Sequence, residues 1–185
     1  MMRLHSRERV LRTIRRQPTD CVAVAPYMYD VAAVAAGVSL RDYYTDAAVM
    51  SHAQLRLHEL VQQDVISVGS DNFYIAEGFG CQTTRDENEL PALLKPAVDS
   101  LKDVLDIQPL DPYTDGRMPL MLEAIAKVRA AVGDEVAVRS PGTGPFALAS
   151  YLIGTQQWLL EVGMIEAAME EADENAVRHA LDVTS

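Results

Sequence analysis

The sequence has only two cysteines, Cys21 and Cys81, far apart and in no C-x-x-C arrangement. That excludes a disulfide framework and a zinc knuckle. Basic residues are also in deficit: 16 Lys and Arg stand against 27 Asp and Glu, for a net charge of −11. An acidic chain of this kind lacks the basic face that non-specific binding to nucleic acid or acidic membranes requires. No apolar run approaches the roughly 20 residues that span a bilayer, and the opening "MMRLHSRERVLRTIRRQ" lacks the apolar centre of a signal peptide. No membrane association and a cytoplasmic location are therefore expected. The four histidines (His5, His52, His58 and His179) form no H-x-H or H-E-x-x-H pair, so solvated helix positions account for them and no metal site is expected. There is no G-x-G-x-x-G after the first apolar run and no Walker glycine-lysine motif. A nucleotide-binding sheet would have nothing to bind with.

The remaining composition is that of a globular domain, with 49% hydrophobic and 23% charged residues. Ser6 is placed to cap a helix "RERVLRTIRRQ", with Val10, Leu11 and Ile14 on one face and a crowd of arginines read as its solvated side, ending at Pro18. "CVAVAPYMY" (21–29) reads as a buried strand. Thr45 and Asp46 open a helix to about Gln63, and "DVISVGSD" (64–71) is a second strand. From Asn72 to Arg117 the pattern breaks: "FYIAEGFGCQTT" suggests a hairpin around Gly78 and Gly80. "VDSLKDVL" suggests a short helix turning Val98, Leu101, Val104 and Leu105 inward. Such a long excursion usually walls a site. A helix from Pro119 to Gly133 follows, with Met121, Leu122, Ile125, Val128 and Val132 on its stripe. "EVAVRS" is the third strand and "GPFALASYLIG" opens the next helix. In the tail, Ile165, Ala168, Met169 and Ala172 read as one helical face and Asp173 as the cap of a last helix. Glu166, Glu170, Glu171 and Glu174 read as a solvated acidic cluster.

Strands alternating with helices, each strand apolar without alternation, predict a parallel sheet covered on its faces, as a barrel or a doubly wound sheet. Catalytic side chains of β/α folds lie at the C-terminal strand ends. This selects "APYMYD", "GSDN" and "SPGTGPFALASY". Asp71 ends the second strand beside Asn72. It either meets a ligand, as hydrogen-bond acceptor, electrostatic stabiliser or general base, or bonds its own backbone in a turn. Tyr27, Tyr29 and Asp30 are weaker candidates, since aromatics at a strand end also line the top of a core. After the third strand, Gly142 and Gly144 permit a sharp turn and close approach to a ligand, and Pro145 suits a first helical turn whose N-terminus can hold an anion. Tyr151 follows within reach of the same mouth. The alternative is a plain tight turn with Tyr151 in the core.

The segments "SRERVLRTIRRQPTDCVAVAP", "GVSLRDYYTDAAVMSHAQLRLHEL", "DVISVGSDN", "LDPYTDGRMPLMLEAIAKVRAAVGDEVAV" and, most specifically, "GTGPFALASYLIG" together resemble the uroporphyrinogen decarboxylase superfamily, which includes corrinoid-dependent methyltransferases. The resemblance implies a (β/α)8 TIM-type barrel, with residues 1–185 as the N-terminal part of a single domain: an N-terminal helix over 1–20 and β/α units over 21–185. It implies that Asp71 and Tyr151 carry the catalytic roles at a tetrapyrrole or substrate cavity. Tyr27, Tyr29, Asn72, Gly142, Gly144, Pro145 and Phe146 would bind substrate or cofactor. Decarboxylases of the family carry an R-Q-A-G-R motif after the first strand, whereas this chain has "YMYDVAAVAAG", with no arginine to clamp a polyanion. The resemblance therefore falls nearer the methyltransferase branch. There methylcobalamin or a corrinoid protein and a small-molecule methyl acceptor are the expected partners, and zinc and a corrinoid the cofactors of a complete protein. The family's zinc ligands belong to the second half of the barrel, so no metal ligand is assigned here. A divergent decarboxylase and a non-catalytic half-barrel are the alternatives. Four or so β/α units leave open sheet edges, so the chain is expected to be a fragment, to pair as a homodimer, or to be complemented by a C-terminal half.

Overall fold

A computed structural model describes residues 3–169 and 172–185. The chain divides into two compact units. The first comprises the chain as far as Asp71, Asp86–Leu90 and Leu120–Pro141; the second comprises Asn72–Arg85, Pro91–Pro119 and Gly142 onward.

The first unit opens with α1 (Ser6–Ile14); His5 holds the N-cap position without a side-chain capping bond, and Ser6, the expected cap, is already helical. The helix stops before Pro18: Arg16 takes a left-handed φ of 56° and turns the chain out. The arginines of α1 are not all solvated. Arg9 is buried, with its guanidinium bonded to Asp20 (Nε to Oδ1, 2.8 Å) and to Asp64. This ion cluster fastens α1 to the start of the sheet.

Two short helices, α2 (Asp30–Ala36) and α3 (Leu40–Thr45), precede α4 (Ala47–Val61). Asp46 caps α4 as expected, its carboxylate accepting from the N–H groups of Ala48 and Val49. Strand β1 (Val65–Ser67) pairs in parallel with β4 (Ala137–Arg139), with Ser67 opposite Arg139. The predicted first strand does not join this ladder as a strand. The Asp64 amide donates to Val24 O at 2.9 Å, but the Val24 amide turns to the Asp64 carboxylate, and Pro26 has no N–H to give. Helix α5 (Met118–Val132) buries Met121 and Val128 as expected, with Ala124 between them, but leaves Leu122 at the edge of the stripe on the surface.

In the second unit β2 (Gln82–Thr83) pairs antiparallel with β3 (Leu93–Lys95). The hairpin thus closes well after Gly78 and Gly80, which lie in a run of turns. A 3-10 helix (Leu101–Asp106) buries Leu101 and Val104 while Leu105 stays exposed, since three residues per turn cannot bring all of them inward. Helices α6 (Pro145–Ile153), α7 (Thr155–Glu166) and α8 (Glu174–Val183) complete it. Their core gathers Leu148, Leu152, Trp158, Val177 and Ala180 with Leu101 and Val104. Asp173 caps α8 through the Ala176 amide, as expected. The predicted face through Ala168 and Met169 is broken, because α7 ends at Glu166 and Ala168 adopts φ 53°. Glu170 and Glu171 of the acidic cluster lie outside the described residues, and Glu174 is paired with Arg178 at 2.6 Å.

Candidate functional site

The predicted site residues fall in two groups. Tyr27, Tyr29 and Asp71 belong to the first unit; Asn72, Gly142, Gly144, Pro145, Phe146 and Tyr151 belong to the second.

In the first unit the residues beyond three apolar segments converge. Gly69, just past β1, lies so close to its neighbours that a Cβ there would sit 3.0 Å from Pro141 Cγ and 3.1 Å from the Tyr29 ring. A larger residue would push the three segments apart. A buried network holds this point: Gln54 Nε2 donates to the Tyr43 hydroxyl at 2.7 Å and to Met28 O at 3.2 Å, and the Tyr43 hydroxyl donates to Gly69 O at 2.7 Å. Burial pushes the Tyr43 hydroxyl above the ordinary tyrosine range, so it stays a donor. Next along the chain, the Ser70 hydroxyl donates to Asp71 Oδ2 at 2.5 Å. Asp71 is partly buried, with one oxygen oriented by a neighbour that is itself 1% exposed.

Arg139 joins this cluster, and the sequence reading did not select it. Its Nε donates to Ser67 Oγ at 2.7 Å and its Nη2 to Ala25 O at 2.9 Å, with the guanidinium 4.0 Å over the Tyr27 ring. Tyr27 meets Tyr29 edge-on at 6.0 Å. The available signal was an arginine closing an otherwise apolar strand at the C-terminal end, where ligand-facing groups of β/α folds are found.

In the second unit the α6 entrance takes its expected form, with Gly144 as N-cap and Pro145 at the first helical positions. The glycines are not needed for a special backbone conformation: Gly144 has φ −67°, neither Gly142 nor Gly144 has a positive φ, and a Cβ on either would meet open space. What they provide is a bare turn with accessible backbone. Thr143 Oγ1 donates to Asn72 O at 2.8 Å, and Phe73 packs on Tyr151 at 4.8 Å. The segment after β1 is thereby tied to both ends of the α6 motif. Tyr151 is half-buried beside the core, and Phe146, half-exposed, stacks edge-on against Trp158 at 5.3 Å. In the same unit a buried carboxylate, Glu77, accepts from Arg117 Nε at 2.6 Å and pairs with Arg85 at 3.1 Å.

Among the described residues no group of three or more His, Cys, Asp or Glu is placed to hold a metal ion. No described helix is long and apolar enough to cross a membrane.

A model of the family described as uroporphyrinogen decarboxylase (URO-D) matches residues 5–180. The chain belongs to the uroporphyrinogen decarboxylase family. A curated relative, methylcobamide:CoM methyltransferase MtbA of Methanosarcina acetivorans, is 28% identical over 154 residues, which cover 80% of this chain and 44% of that protein. A solved methyltransferase from Methanosarcina mazei superposes with a TM-score of 0.81 at 22% identity, over 98% of this chain and 52% of its own length. The α/β fold is therefore of the TIM-barrel type and similar to that of this methyltransferase. The chain spans about half the length of the relatives it matches.

Proposed function

We propose that the chain is the N-terminal half of a β/α barrel in a methyltransferase that moves a methyl group from a methylcobamide to a small-molecule acceptor such as a thiol. The observation that carries this reading is α2. Where the decarboxylase motif would present arginines, the segment folds as Asp-Val-Ala-Ala-Val-Ala-Ala, a helix without a cation. A substrate with several carboxylates needs several guanidinium partners, whereas a methyl acceptor does not. The methyltransferase name of the curated relative supports the same choice. On this reading Asp71 and Tyr151 carry the catalytic roles, and Tyr27, Tyr29, Asn72, Gly142, Gly144, Pro145 and Phe146 bind substrate or cofactor. The partner is a corrinoid protein or free methylcobalamin. The described residues do not suit a zinc ion, so no step is routed through one. The half-barrel is completed by a C-terminal half or by a second copy.

The test offers the native gene product methylcobalamin with a thiol in one assay and uroporphyrinogen in another. Thiol-dependent loss of the methylcobalamin absorbance without decarboxylation is expected. Release of carbon dioxide from uroporphyrinogen would instead establish the decarboxylase. Corrinoid binding without turnover would establish a binding module.

A further inference from the structure

Gln54 and Tyr43 meet no ligand, yet they are among the most deeply buried side chains of the first unit, at 1% and 0% exposure. Burying polar groups costs free energy unless their hydrogen bonds are made. Here they are made in one chain. Gln54 Nε2, on α4, donates to Met28 O at 3.2 Å and to the Tyr43 hydroxyl at 2.7 Å; that hydroxyl, on α3, donates to Gly69 O at 2.7 Å. With the Gln54 amide on its oxygen, the hydroxyl commits its single proton to Gly69. Burial, which raises the hydroxyl above the ordinary tyrosine range, keeps that proton in place.

The chain of donors ends two residues before Asp71. The β1 ladder runs as far as the Val68 amide, which donates to Arg139 O at 2.8 Å. Beyond it the Gly69 carbonyl is held by Tyr43. A peptide unit is planar, so fixing the Gly69 carbonyl also fixes the Ser70 amide and the direction in which the Ser70 side chain leaves the backbone. The Ser70 hydroxyl, in a residue 1% exposed, then donates to Asp71 Oδ2 at 2.5 Å. Gln54 holds the neighbouring segment through Met28 O as well, so one side chain of α4 sets both strand ends.

We propose that Tyr43, with Gln54 behind it, is a positioning residue for Asp71: its hydroxyl sets the Gly69–Ser70 peptide plane and thereby the direction from which Ser70 orients the Asp71 carboxylate. The kinetic consequence rests on the reading of Asp71 as catalytic; the geometric one does not. Misplacing a reacting group by about 1 Å costs roughly a hundredfold in rate, and a shifted peptide plane two residues away should cost less, about tenfold.

The test compares Tyr43→Phe with Tyr44→Phe in the native gene product. The Tyr44 hydroxyl also donates to a backbone carbonyl, Asp86 O at 2.9 Å, outside this chain of bonds. Tyr43→Phe is expected to lower kcat for methyl transfer about tenfold with KM changed less than about twofold, and Tyr44→Phe to leave both as they are. In an Asp71→Asn background the Tyr43→Phe loss should vanish, because groups that act as a unit are not additive. A purely structural role would multiply the two losses. Independently of turnover, NMR of protein labelled at the aspartate carboxyl carbons follows the Asp71 resonance, identified by its absence in Asp71→Asn. That resonance should move in Tyr43→Phe and stay in place in Tyr44→Phe.

An unmoved Asp71 resonance in folded Tyr43→Phe overturns the inference in every case. Where Asp71→Asn lowers turnover, wild-type kcat in folded Tyr43→Phe, or a loss that multiplies with that of Asp71→Asn, overturns it too. Should Tyr43→Phe fail to fold, Gln54→Leu decides by the same readouts: it removes the donor that orients the hydroxyl and should give a smaller loss of the same kind. If Asp71→Asn turns over like the wild type, or the protein transfers no methyl group, the functional reading falls and the Asp71 resonance alone decides the positioning.

Discussion

At Cys81 the thiol is 5% exposed, and burial pushes its pKa up to about 11, while Cys21 is exposed. Since the thiolate is the reactive form, a thiol reagent at pH 8 should label one cysteine per chain quickly and the second only after denaturation. Peptide mapping should place the fast label on Cys21. A charged group under the opposite influence is Asp20, whose carboxyl the Arg9 guanidinium beside it holds well below the usual range. A depressed native pKa stabilises the fold above the unfolded value near 4, and that contribution is lost as pH falls through and below it. Urea unfolding should therefore show stability dropping between about pH 5 and pH 2, and Arg9→Met should lower stability at pH 7 while flattening that slope. At Asp71 the choice left open by the sequence can be made kinetically. A catalytic carboxylate predicts that Asp71→Asn lowers turnover of the native gene product about a hundredfold with unchanged unfolding; unchanged turnover would make it a turn former.

Among the elements, those with strong local signals were legible. The Asp46 cap of α4, Pro145 at the start of α6 and the runs that became β1 and β4 are all present. Elements whose state depends on distant partners were not. Residues 21–29 carry a strand's composition, yet Asp64, forty positions on, takes the Val24 amide with its carboxylate. The buried role of Arg9 was illegible for the same reason, because Asp20 and Asp64 find it only in the fold. Helix α2 was passed over although its signals were local: Asp30 at its start, an alanine-rich body and Gly37 at φ 69° as its stop. Of the candidate site, the strand-end positions could be read from the sequence, whereas Arg139 and the Gln54–Tyr43–Gly69 network required three-dimensional contacts. One turn is strictly constrained: Gly116 has φ 57°, and a Cβ there would lie 2.7 Å from Gly78 N and 2.8 Å from Tyr74 O. Gly116→Ala should cost about 1–3 kcal/mol, measured as a shift in the urea midpoint. Gly133→Ala, equally left-handed but with open space around it, should cost less.

For the molecule as a whole, the match over residues 5–180 and the superposition at TM-score 0.81 fix family and fold, while the chain's share of its relatives, 44% and 52%, leaves the complete reaction to be established on the native gene product. The departure on which the proposed methyl transfer rests is physical: a helix without arginine, α2, follows the first apolar segment. It suits a ligand with few carboxylates. The most direct test supplies methylcobalamin carrying an isotopically labelled methyl group and follows that label by mass spectrometry. Appearance of the label on an added thiol, in protein-dependent and multiple-turnover fashion, is the result predicted. Retention of the label on the corrinoid, alongside loss of carboxylates from uroporphyrinogen, would contradict the account.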